Sequence, residues 1–237
     1  MKAIGGKAVN SDRAAGSAMK RFLRPFVPQG VRRERDIIRR LGPKAGRTYA
    51  GLRLRGILGL GWSGSVRVPQ SARHFVFVCH GNIMRSPAAE AMFKRALATA
   101  NLHDRIDVVS AGLHAVVGTP AHPRAQSIAC EMGLALSGHR ARLLSADLVE
   151  WADVIFVMDY QNQAELSDRH PCARHKLFLL GVYASPPQQS REIRDPYFGD
   201  LETTRQCFRT LQVCIHNLVA ELLPQTAERA KKAVVAV

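Results

Sequence analysis

An apolar run, His74-Phe-Val-Phe-Val78, leads straight into Cys79-His-Gly-Asn-Ile-Met-Arg-Ser86, and Pro87 then opens a stretch rich in Ala, Met, Leu and Lys. No other feature of the chain constrains its fold so tightly. A strand without polar alternation suits a sheet covered on both faces, which is the parallel-sheet situation. Proline is tolerated in a first helical turn, where the N–H it lacks would have no intrahelical partner. The junction therefore reads as strand, tight turn, helix.

The texture repeats downstream. Ala88 to Ala100 reads as a helix, Ile106 to Ser110 as a strand closed by Gly112, and Pro120 to Met132 as a helix ended by Gly133. Ala146 to Trp151 reads as a short helix, Val154 to Met158 as a third strand and Asn162 to Arg169 as a helix. Lys176 to Leu180 is a fourth strand, and a proline-bearing loop precedes a last helix, Leu201 to Leu223. Strand–helix alternation predicts an α/β fold: a three-layer sandwich around a four-stranded parallel sheet with right-handed crossovers. Leu201, Phe208, Leu211, Ile215, Leu218 and Leu222 form the core-facing stripe of that last helix.

The chemistry concentrates at the first junction. Where a strand turns into a helix, the N–H groups of the turn and of the first helical turn converge without partners and make an anion site. Gly81 permits the turn, Asn82 tolerates unusual backbone angles, and Arg85 adds a planar fork for two phosphate oxygens. Helix N-termini and cations favour the thiolate over the thiol. One site can thus activate a sulfur nucleophile and bind the dianion it attacks. Phosphoryl transfer also needs an acid for the leaving oxygen and a base for the water that follows. Asp195-Pro196-Tyr197, beyond the fourth strand, is the candidate, because loops after parallel strands gather at one sheet edge. Alone, Asp-Pro is a common turn starter, and a strand-end Cys is commonly a packing residue.

Cys79-His-Gly-Asn-Ile-Met-Arg-Ser-Pro87, Ser110-Ala-Gly112, Gly138-His-Arg-Ala-Arg142, Val157-Met-Asp159 and Asp195-Pro-Tyr197 occur in an order and spacing that resemble the low-molecular-weight protein-tyrosine phosphatases, over about residues 73–223. The resemblance implies hydrolysis of phosphotyrosine through a phosphocysteine, with Cys79 as nucleophile, Arg85 as phosphate clamp and Asp195 as acid, then base. It implies that His80, Gly81, Asn82, Ile83, Met84 and Ser86 surround the phosphate, with Ser86 bonded to the sulfur and Tyr197 against the substrate ring. Asn82 would hold the loop through a polar network with Ser110, His139 and Asp159. Met84 departs from the family, which often has a second Cys there that protects the nucleophile. Val116, where eukaryotic members have an aromatic wall, and the short loop to Gly118 resemble the bacterial branch that partners tyrosine kinases of exopolysaccharide synthesis. Ile83 favours phosphotyrosine over phosphoarginine, since protein-arginine phosphatases of this fold usually carry Thr there.

Residues 1–72 read as a separate extension. They hold 4 Lys and 12 Arg against Asp12, Glu34 and Asp36, a net +13 out of the chain's +15. Prolines and Gly51, Gly56, Gly59 and Gly61 argue for a partly disordered arm. A short helix is expected from Val31 to Leu41, with Val31, Ile38 and Leu41 on one face. Residues 73–224 form the phosphatase domain and 225–237 a tail. An arm of this charge suits an anionic membrane surface; with Phe22, Phe26, Tyr49 and Trp62 as its few aromatics it is poorly equipped for nucleic acid. Five cysteines without a CxxC pair or zinc-type spacing fit a reducing compartment, no disulfide scaffold, and no metal or organic cofactor. With no apolar run long enough to span a bilayer and no secretory signal, a cytoplasmic location is expected, at the inner face of the membrane where the arm engages it. Three other readings compete: an arsenate reductase on the same fold, which needs resolving cysteines; a protein-arginine phosphatase; and a non-catalytic phosphate-binding module.

Overall fold

The computed structural model describes residues 29–59, 68–184 and 191–223. Expectations for Phe22, Phe26, Gly61, Trp62 and the 225–237 tail lie outside the described residues. Four strands, β1 (His74–Cys79), β2 (Asp107–Gly112), β3 (Val154–Val157) and β4 (Leu177–Leu179), form one sheet in the order β2-β1-β3-β4, parallel throughout. The helices are α1 (Gln29–Ile57), α2 (Arg85–Thr99), α3 (Pro123–Glu131), α4 (Ala146–Trp151), α5 (Tyr160–Arg169) and α6 (Leu201–Leu222).

Alternation along β1 divides the core. Phe75 and Phe77 pack with Phe93 and Leu97 of α2, Ile128 of α3 and Phe208 and Leu211 of α6. Val76 and Val78 pack on the other face with Ile155, Val157, Val149 of α4 and Leu166 of α5. Burial on both faces is why β1 carries no polar alternation. The expected α6 stripe is buried at Phe208, Leu211, Ile215, Leu218 and Leu222, whereas Leu201 stays exposed. The core reaches back to Val68 and Ala72, and Val68 N–H donates to Glu221 of α6.

The chain departs from the expected arm at α1. A helix runs to Ile57 through Gly51 and Gly56, kinked at Gly42 (φ 76°) just before Pro43. The inward face is Ile37, Ala45 and Tyr49 with Leu41 and Leu52 beside them, not Val31 and Ile38, which are exposed. Ile37, Tyr49, Leu41 and Leu52 cluster with Ala164 and Tyr160 of α5. Packing against a neighbour thus overrides weak local propensity, the usual origin of helical stability in proteins.

Strand order reverses between β1 and β3, since the chain leaves β1 for β2 on one side and later returns to β3 on the other. Ligands of open parallel sheets bind at the carboxyl ends of the strands beside such a reversal, and Cys79 ends β1 there.

Candidate active site

The loop between β1 and α2 closes around the Cys79 sulfur. Asn82 N–H lies 3.3 Å from Sγ and the Ser86 hydroxyl 3.1 Å from it. Arg85 is the first residue of α2, three residues before the expected helix start, so the loop's end coincides with the helix's positive pole. Asn82, fully buried, sits at φ 53°, a region that asparagine enters more readily than most residues. Every polar group it owns is used. Nδ2 donates to Ser86 Oγ and Ser110 Oγ, both at 2.9 Å, and Oδ1 accepts from Arg142 N–H at 2.8 Å. Its carbonyl lies 2.7 Å from His139 Nε2, which must carry the proton for that contact to be a hydrogen bond. Gly81, by contrast, has no positive φ, and a Cβ there would make only ordinary contact with Ile83. The glycine that sterics demand is Gly112, at the end of β2. A Cβ on it would lie 2.8 Å from Asn82 N and 2.9 Å from the His80 carbonyl. A bare β2 end lets the loop lie against it.

Arg85 is 2% exposed. Its Nη1 donates to Asp159 Oδ2 at 2.6 Å and to the Ile193 carbonyl at 3.0 Å, and its Nη2 donates to Asp195 Oδ2 at 2.6 Å. Burial opposes its charge, but Asp159, Asp195 and Cys79 outweigh that and hold its pKa above the ordinary value. Of the five guanidinium N–H groups, Nε–H and the second Nη2–H have no hydrogen-bond partner among the described residues. Asp195 Oδ1 accepts from Tyr197 N–H at 3.1 Å. The downstream Asp-Pro-Tyr segment therefore does meet the Cys79 loop, as the sheet-edge argument requires. Asp159 differs from expectation: it binds Arg85 and caps α5 through Asn162 N–H at 2.7 Å, and makes no hydrogen bond to Asn82. Placed at the end of β3, it is aligned with the guanidinium rather than with the loop's asparagine.

The low molecular weight phosphotyrosine protein phosphatase pattern matches residues 74–230. The chain belongs to this phosphatase family. Among its relatives, the probable low molecular weight protein-tyrosine-phosphatase EpsP of Ralstonia nicotianae is 36% identical over 135 residues, 57% of this chain and 86% of that protein. The low molecular weight protein-tyrosine-phosphatase Wzb of Salmonella typhi is 42% identical over 120 residues, 51% of this chain and 74% of that protein. Among solved structures, the tyrosine phosphatase Wzb of Escherichia coli K30 in complex with sulphate aligns with TM-score 0.57 and 30% identity, over 64% of this chain and 99% of that one. The YwlE arginine phosphatase of Geobacillus stearothermophilus aligns with TM-score 0.58 and 28% identity, over 66% of this chain and 96% of that one. As a member of its family, the protein is a hydrolase.

At the rim of the phosphatase loop, His114, His122 and Arg124, which no motif contains, meet expected site residues. The His80 ring lies 4.5 Å from that of His114; partial burial of the ring first, then the neighbouring His114, lowers its pKa. Tyr197, 45% exposed, meets His122 edge-on at 5.8 Å, and Arg124 donates to the Tyr197 carbonyl at 2.6 Å and to the Gly199 carbonyl. Ile83 is half-buried and its carbonyl accepts from His122 N–H at 2.9 Å. Met84 is buried at the cap of α2, where this phosphatase lacks a second thiol beside the nucleophile position. Cys130 and Cys172 are exposed, while burial pushes the Cys207 and Cys214 thiols up to about 12. Arg124 acts on backbone carbonyls that only folding brings to it, so no sequence spacing marks it, while Arg142 acts through its own N–H on the Asn82 side chain.

Proposed function

We propose that the protein dephosphorylates phosphotyrosine in proteins in two steps at Cys79. Arg85 Nε–H and Nη2–H, with the loop's N–H groups and the α2 pole, hold the phosphate. Cys79 Sγ attacks phosphorus, the P–O bond to the aryl group breaks, and Asp195 delivers its proton to the departing phenolate oxygen. Water then attacks the phosphocysteine, Asp195 takes a proton from it, and inorganic phosphate leaves as sulfur regains its electron pair. The observation that carries this reading is the 2.6 Å contact between Arg85 and Asp195, which sets the carboxyl group beside the phosphate fork.

Ser86 fits both stages. Asn82 Nδ2–H occupies one side of its oxygen, so its single proton can go to Ala111 O at 3.2 Å or to Sγ at 3.1 Å. With a thiol, it donates to the carbonyl; with a thiolate or a departing sulfur, it turns to Sγ. Tyr197, on the same segment as Asp195, would form the wall against the substrate ring. His139 and Ser110 support the loop through Asn82, while Asp159 orients Arg85.

Ile83 supports phosphotyrosine over phosphoarginine, presenting an apolar side chain where Thr is usual in arginine phosphatases. Likeness to EpsP and Wzb, with Val116 exposed in place of an aromatic wall, supports a tyrosine kinase of exopolysaccharide synthesis as the natural partner. The basic α1 supports action in the cytoplasm at the inner face of the membrane.

Asp195→Asn tests the acid. It should lower kcat/KM on a phosphotyrosine peptide by about 10²-fold or more, the scale of general acid–base catalysis. On dinitrophenyl phosphate, whose leaving group needs no proton, it should leave kcat/KM nearly unchanged. Equal activity of mutant and wild type on the peptide would contradict the assignment.

A further inference from the structure

The N-terminal helix lies outside the residues matched by the family pattern, which begins at 74, yet it reaches the catalytic segment. Arg53 of α1 donates through Nη1 to Glu192 Oε2 at 2.8 Å and through Nη2 to Glu34 Oε1 at 2.8 Å. Tyr49 O–H donates to Glu34 Oε2 at 2.7 Å, fixing that carboxylate in turn. Glu192 Oε1 accepts from Tyr160 N–H at 2.9 Å, the first residue of α5 and the one after Asp159. Ile193, next in the chain, donates its N–H to Met158 O at 2.7 Å and gives its carbonyl to Arg85. Asp195 follows two residues later. Each atom that Arg85 binds thus belongs to Asp159 or to the short stretch 193–195, and Glu192 ties those two together.

We propose that α1 is a built-in buttress of the acid-bearing segment, and that Arg53, acting through Glu192, is a positioning residue for Asp195. Asp195 is itself 38% exposed; Arg124 holds the residues after it at the Tyr197 and Gly199 carbonyls, and its place depends equally on what holds the residues before it. Arg53 is half-buried against Glu192, whose side chain is 18% exposed, and a fork gripping two carboxylates is a geometry lysine reproduces only in part. Gly56, one turn further along α1, allows Tyr160 to approach: a Cβ there would lie 3.0 Å from its hydroxyl oxygen. The inference rests on Asp195 being the general acid. Small displacements of a catalytic group, about 1 Å, cost up to roughly 10²-fold in rate. A loosened segment should therefore cost less than the removal of the acid and more than nothing.

The test compares full-length wild type, Arg53→Ala, Arg53→Lys, Glu192→Gln and Asp195→Asn on a phosphotyrosine peptide and on dinitrophenyl phosphate, with inorganic phosphate as competitive inhibitor. Arg53→Ala should lower kcat/KM on the peptide about 5–20-fold, by the displacement argument, and by less than about 2-fold on dinitrophenyl phosphate, with the phosphate inhibition constant unchanged. Glu192→Gln, which keeps an acceptor for Tyr160 N–H but loses the charge that Arg53 holds, should show the same selectivity. Arg53→Lys, which keeps the charge but not the fork, should recover only part of the loss. Equal losses on both substrates, a weakened phosphate constant, or no loss in either Arg53→Ala or Glu192→Gln would overturn the inference. If Asp195→Asn itself showed no leaving-group selectivity, the acid assignment would fail first and the inference with it.

Discussion

Asn82 and Arg85 carry most of the site's order. Asn82 combines a left-handed backbone with side-chain bonds to Ser86, Ser110 and Arg142. Asn82→Ala should destabilise the protein by about 2–4 kcal/mol, adding the left-handed cost to buried donors and acceptors left unpaired. It should also lower kcat/KM at least tenfold. Asn82→Gly, which accepts the backbone angle, should recover roughly 1 kcal/mol but none of the activity; denaturant titration beside steady-state kinetics checks both. The meeting of Cys79, Arg85 and Asp195 was legible because the proposed chemistry needs those residue types at those spacings, and Ser86 was legible through the family resemblance. Asp159 was legible as a site residue but not in its partner, because a motif does not say which of two nearby polar groups a carboxylate faces. The roles of Gly81 and Gly112 were misallocated for a similar reason. A turn can be seen in sequence, whereas the approach of a second strand to it cannot.

At the scale of elements, the sheet came through clearly. Both-face burial of β1 wrote itself into Phe75-Val-Phe-Val78, and the strand–helix rhythm made the parallel topology the economical one. The Phe75, Phe77, Phe93 and Phe156 rings lie between 5.3 and 6.4 Å from their neighbours and fix α2 to the sheet. Phe93→Ala should cost about 3–5 kcal/mol, as large-to-small changes in packed cores do. The expected result is a lowered denaturation midpoint with kcat/KM per folded molecule preserved; an unchanged midpoint would contradict this packing. The length of α1 was hidden. Its glycines and Pro43 argue against a helix locally, and the face that stabilises it is defined by α5, more than a hundred residues away. Helix boundaries at Arg85 and Pro123 moved for a comparable reason, since caps and loop contacts, not periodicity, set where helices begin.

The whole molecule joins a nearly neutral phosphatase domain to a strongly basic extension. Among the described residues no helix is long and apolar enough to cross a membrane. On α1, Arg32, Arg33, Arg35, Arg39, Arg40 and Arg47 are exposed, while Glu34 is bound by Tyr49 and Arg53. Basic side chains contribute about 1 kcal/mol each near an anionic bilayer, and salt screens them. The full-length protein should co-sediment with vesicles containing phosphatidylserine or phosphatidylglycerol at low salt, be released at about 0.5 M salt, and ignore neutral vesicles. Tighter binding to duplex DNA than to anionic vesicles at the same salt would contradict this use of the basic face. The charge asymmetry was plain in the sequence; that the same helix turns Arg53 toward Glu192 was not.

Whether Cys79 is the nucleophile is decided by hydrolysis of a phosphotyrosine peptide by the wild type and by Cys79→Ser, with chelator present. Metal-independent turnover is expected of the wild type and none of the mutant, which should still bind inorganic phosphate through the intact loop. Turnover that survives in Cys79→Ser, or a folded wild type without turnover, would contradict this.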